Sequence, residues 1–109
     1  MTKAERAAFV QEFLDTNCFP VMGTKGEEYS RGEEDCNSNF KRVAEATGLT
    51  PLQVAYVYLA KHLDSIASYV KRGQVFSDEA IEGRLGDAIN YLLILGSLIE
   101  EEVTDARSS

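Results

Sequence analysis

The chain has 109 residues, enough for one domain with one modest core, and its 44% hydrophobic and 27% charged residues are ordinary for a globular protein. A formal net charge of -7 argues against binding to duplex DNA, RNA or anionic membrane surfaces, which call for a basic face. No apolar run reaches the roughly 18 residues of a membrane span.

In chain order, the spacing of Ala7, Phe9, Val10, Phe13 and Leu14 predicts a packing helix over about 3–16. A polar, glycine-bearing loop follows over 17–37, long for a compact domain, and reads equally as a solvated connector or a ligand-contacting lid. Asn37 or Ser38 caps a short helix over 38–47 through Phe40, Val43, Ala44 and Ala46, which Gly48 ends. Thr50-Pro51-Leu52-Gln53 is a capping box with proline at the first helical position, and it opens a helix over 51–72 that Gly73 closes. Lys71 and Arg72 lie at that helix's negative dipole end. The last helix is expected over 78–102, capped by Ser77, with Asp78 and Glu79 in its first turn. Its core stripe is read as Ile81, Leu85, Ala88, Leu92, Leu95 and Ile99, and 103–109 is expected to be a frayed tail. The short link from Gly73 to Phe76 makes the two long helices antiparallel neighbours. The fold class is therefore all-α: one domain, a small helical bundle dominated by two long C-terminal helices.

Cys18 and Cys36 flank the long loop. Met1 to Arg6 runs straight into an amphipathic pattern without a secretory leader, so a reducing, cytoplasmic setting and ordinary thiols are expected. With a single His and no CxxC, a cysteine metal site is weakly supported.

Both long helices carry polar groups beside their apolar faces. Lys61, His62, Asp64 and Ser65 interrupt the first; Arg84, Asp87, Asn90 and Tyr91 mark the second, with Arg84, Asp87 and Tyr91 on one stripe. Charges that border a core need partners. One reading makes them struts, with Asp87 paired to Lys61 or Arg84 and His62 satisfied by a backbone carbonyl. The other makes them a ligand seam. Lys25, Arg31, Lys41, Arg42, Lys61 and Arg84 are six of the 11 basic residues, and such a cluster in an acidic chain suits phosphate recognition. No GxGxxG or Walker loop is present, and Ser–His–Asp or Cys–His sets can be assembled only from arbitrary pairs. Glu27, Glu28, Glu79, Glu82 and Asp87 are the carboxylates that could hold Mg²⁺.

Four segments carry a family likeness: Lys25-Gly26-Glu27-Glu28-Tyr29, Asn39-Phe40-Lys41, Lys61-His62-Leu63-Asp64-Ser65-Ile66, and Arg84-Leu85-Gly86-Asp87-Ala88-Ile89-Asn90-Tyr91-Leu92. In that order, over about residues 24 to 102, they resemble small phage and prophage proteins related to the nucleotide-modification-associated domain. That group is similar in turn to the all-α nucleotide pyrophosphohydrolase (MazG-like) superfamily. The resemblance implies a helical nucleotide site, often in an oligomer, with Asp87 and Asn90 matching a D-x-x-N-Y element. The seam, completed by the loop and short-helix segments, gives the expected ligand site as Lys25, Glu28, Tyr29, Asn39, Phe40, Lys41, Lys61, His62, Asp64, Arg84, Asp87, Asn90 and Tyr91. The related enzymes bind Mg²⁺ through E-x-x-E and E-x-x-D pairs, whereas here Arg84 stands three before Asp87, which repels a cation and favours phosphate.

Three functions compete. The first is a phage-type binding protein that captures a phosphate-bearing nucleotide or nucleotide-derived signal without turning it over, a sponge against host immune signalling, with no cofactor required. The second is an Mg²⁺-dependent nucleotide pyrophosphohydrolase with metal on Glu27 or Glu28, Glu82 and Asp87. The third is a structural or regulatory helical module. Tyr56, Tyr58, Tyr69, Leu93 and Ile94 fall off the main stripes, which points to a homo-oligomer.

Overall fold

A computed structural model of the chain describes residues 1–22, 34–74 and 80–108. Helix α1 spans Lys3–Phe13 and opens on a capping box absent from the sequence expectations. The Thr2 hydroxyl accepts from the Glu5 N–H at 3.1 Å, and the Glu5 carboxylate accepts from the Thr2 N–H at 3.3 Å. The chain then widens into a π-helical segment, Leu14–Cys18, where the Phe19 N–H reaches back to the Leu14 carbonyl. Helix resumes over 19–22. The loop expected over 17–37 therefore starts later than its polar composition suggests. Its stretch from 23 to 33, with Lys25, Glu27, Glu28, Tyr29 and Arg31, lies outside the described residues.

Helix α2 spans Ser38–Thr47 and ends at Gly48, whose φ of 75° is the left-handed cap that glycine adopts without strain. Helix α3 spans Pro51–Arg72, with the bounds its sequence signals predict. The Thr50 hydroxyl accepts from the Gln53 N–H at 3.1 Å, the Gln53 side chain accepts from the Thr50 N–H at 2.9 Å, and Gly73 at φ 73° ends it. Helix α4 spans Ile81–Ser108, so the frayed tail expected after residue 102 is helical. The Glu100-Glu101-Glu102 run points to an end in solvent, but solvated side chains do not stop a helix while its backbone ladder continues. The Ser77, Asp78 and Glu79 capping signals lie outside the described residues.

The fold is all-α, and no strand occurs among the described residues. Helices α3 and α4 run antiparallel. Val54 of α3 shares a cluster with Leu98 of α4, Tyr58 meets Tyr91, and His62 meets Arg84 and Asp87. The core holds Phe40 and Ala44 from α2, Val54 and Ala55 from α3, and Leu98 from α4, with Val43, Leu52, Tyr58, Tyr91, Ile94 and Leu95 packed around it.

Two expectations fail here. Helix α1 buries none of its residues, and Phe9 and Val10 face solvent, so it is not a packing helix within the described chain. The core stripe of α4 holds at Ala88, which is buried, and at Leu95, which packs against the core, but it is otherwise rotated. Leu92 and Ile99 are 56% and 51% exposed, and Leu85 is exposed as well, while Asp87 and Asn90 are only 8% and 5% exposed. The buried face runs through Asp87, Asn90, Tyr91, Ile94 and Leu98. Hydrophobicity alone picked the leucines; contact with the π-segment and α3 picks the polar pair. Of the residues set off the stripes, Tyr56, Tyr69 and Leu93 are exposed, but Tyr58 and Ile94 join the core.

Candidate functional site

Gly86 brings α4 against the π-segment. A Cβ at 86 would run into the Asn17 carbonyl oxygen, so only glycine permits this approach. One turn on, the Asn90 amide donates to the Cys18 carbonyl at 2.9 Å. That acceptor sits at the end of the π-segment. Asn90 Oδ1 is buried and has no hydrogen-bond partner among the described residues. A buried acceptor left so costs about 1–3 kcal/mol. Cys18 is fully buried, and desolvation, followed by the Asp87 charge, pushes its thiol above the ordinary range. Cys36 is exposed, and both thiols are free.

Beside this contact lies a polar cluster between α3 and α4. An Arg84 guanidinium nitrogen, Nη1, is 3.2 Å from His62 Nδ1, and Asp87 Oδ2 is 3.8 Å from the same ring nitrogen. An unprotonated Nδ1 accepts from Arg84, whereas an Nδ1–H would have Asp87 as its facing acceptor. The Tyr91 ring stacks on His62 at 5.4 Å and 25°. Tyr91 also packs on Tyr58 at 5.9 Å and edge-on to Phe40 at 6.3 Å, which ties the cluster to the core and fixes the imidazole plane.

A second polar network closes the other end of the α3–α4 pair. Asn37 caps no helical N–H with its side chain; its amide instead donates to Ser97 Oγ at 3.2 Å and to Glu101 Oε1 at 2.9 Å. Lys41 Nζ lies 2.6 Å from Asp35 Oδ2 and 3.1 Å from Glu101 Oε2. The hydrogen bond from Lys41 holds the Asp35 carboxyl below its usual range, and the same bond holds the Lys41 ammonium above its own. Lys41 is thus a strut to two carboxylates.

The predicted seam is brought together only in part. His62, Arg84, Asp87, Asn90 and Tyr91 converge. Lys61 and Asp64 stay on the exposed side of α3, because their positions flank the buried His62 by one and two residues. Phe40 is a core residue, Asn39 is half-buried, and Lys41 belongs to the other network. Glu82 is exposed, and no group of three His, Cys, Asp or Glu suited to a metal occurs among the described residues. Sequence reasoning missed the Cys18 backbone, Asn37, Ser97 and Glu101; only the polar Asn37 beside a helix start gave any signal. No helix among the described residues is long and apolar enough to cross a membrane. No protein-family model, no curated protein and no solved structure matches the chain.

Proposed function

We propose that this chain binds a phosphate-bearing nucleotide, or a signal derived from one, between α3 and α4 and holds it without hydrolysing it. One observation carries the reading: Arg84 and Asp87 stand within reach of one ring nitrogen of His62, on which Tyr91 stacks. Arg84 lies in the opening turns of α4, where the positive end of the helix dipole adds to its charge. In this reading a phosphate draws the guanidinium away from His62 and takes its fork of donors. The freed imidazole takes up a proton from solvent on Nδ1, which then faces Asp87, and its Nε2–H is the second donor toward the anion. Asn90 Oδ1 supplies an acceptor for a sugar hydroxyl or an exocyclic amine. The phage-type, anti-defence role expected from the sequence rests on the motif likeness alone.

The test is incubation with nucleoside triphosphates, cyclic dinucleotides and ADP-ribose-type signals, with and without Mg²⁺, followed by recovery after heat denaturation. Depletion of a ligand and its intact return are expected. Arg84→Ala should weaken capture by about 10- to 100-fold, the worth of a charged hydrogen bond. Released pyrophosphate or monophosphate would replace binding with hydrolysis. Depletion of none of the panel, or capture unchanged in both Arg84→Ala and Asp87→Ala, would make the cluster a strut.

A further inference from the structure

The outward face of α4 carries a second apolar periodicity that the fold does not use. Leu85, Ile89, Leu92, Gly96, Ile99 and Val103 recur at steps of four and three, the spacing of a helix–helix seam. Leu85, Leu92, Ile99 and Val103 are exposed and Ile89 is half-buried, while a Cβ added at Gly96 would meet nothing within 4 Å. The stripe is symmetric about residue 94. Run against itself in the opposite direction, it sets Leu85 on Val103, Ile89 on Ile99, and Leu92 over Gly96, a large side chain above a space that holds none.

We infer that a second copy of this chain covers this face, with the two α4 helices crossing antiparallel about residue 94. Charge selects the direction. Glu100, Glu101, Glu102 and Asp105 crowd the end of α4, and a parallel pair would set them side by side. The antiparallel pair separates the two acidic clusters by roughly 20 Å along the axis, well beyond the screening length. The exposed Leu49, Tyr56 and Val57 form an apolar groove with Leu95 of α4 and extend the same surface.

The proposal is independent of any ligand, and its test needs none. Sedimentation velocity of the full chain at micromolar concentration should give twice the 12.1 kDa monomer mass. Leu92→Glu adds a charge at a site that is solvent-exposed in the single chain, and Gly96→Leu fills open space while raising helix propensity. Both should keep their helical circular dichroism and weaken the dimer by at least about tenfold. A spin label on Thr104→Cys, in a Cys36→Ser background, should report an intersubunit distance of about 30 Å for the antiparallel pair. A distance of about 10 Å would mean a parallel pair. A monomeric wild type, a dimer indifferent to both substitutions, or the short distance overturns the inference.

Discussion

The two ends of the α3–α4 pair are built from the same helices yet solve opposite problems. At the Leu98 end, Phe40, Ala44, Val54 and Ala55 close an apolar cluster, and Lys41, Asp35, Asn37 and Glu101 satisfy one another around it. At the Asp87 end the buried positions are polar, the helix is pressed onto a π-segment through a glycine, and Asn90 Oδ1 has no partner among the described residues. The first arrangement is what stability asks of a helix pair. The second gives up stability and keeps polar groups aimed inward, which is the usual signature of a site.

Breaking the apolar end should have the largest effect. Leu98→Ala removes a buried side chain from between three helices and should cost about 2–5 kcal/mol in denaturant unfolding, with α3 and α4 separating together. A loss under about 1 kcal/mol would show that this end does not anchor the pair. At the polar end, Gly86→Ala forces a methyl into the Asn17 carbonyl and should cost about 1–3 kcal/mol. Because the strain falls on the α4–π-segment contact, Cys18 should also become accessible to thiol reagents, and a still-protected thiol would contradict the geometry. The smallest effect belongs to the Lys41 network. Asp35, held below its usual pKa, contributes stability above about pH 4 that fades as pH falls through its lowered folded value. Lys41, held above its usual pKa, contributes below about pH 10.4 and loses that contribution as pH rises through its raised folded value. Lys41→Met should change stability at neutral pH by at most about 1 kcal/mol, since the pair is half-exposed. It should also flatten both the acid and alkaline limbs of the stability profile. Unchanged limbs would assign them to other groups.

What could be read in the sequence was whatever is local. The bounds of α3 follow from Thr50, Pro51, Gln53 and Gly73, each acting within a few residues of itself. The convergence of His62, Arg84, Asp87 and Tyr91 was legible because helical spacing places them on facing stripes. The rotation of α4 was not. Leu92 and Ile99 look like core until Gly86 commits the opposite face to the π-segment, and that contact joins residues far apart in the chain. Lys41 likewise looked like a ligand cation because one of its two partners, Glu101, lies sixty positions away, and the other, Asp35, sits in the loop before α2, where no helical spacing signals the pairing.

The π-segment at Leu14–Cys18 is, in arithmetic terms, one residue more than an α-helix would spend on the same rise. A wider turn takes up that surplus within itself, so the helix before it and the helix after it keep their facing, and the extra residue is felt only at the bulge. Deleting a single position such as Asp15 would let the ladder close as ordinary α-helix, leaving the direction of α1 nearly unchanged while altering the backbone that offers the Cys18 carbonyl to Asn90. A length change of one residue would thus be read at the floor of the polar cluster and not on the surface of the N-terminal helix.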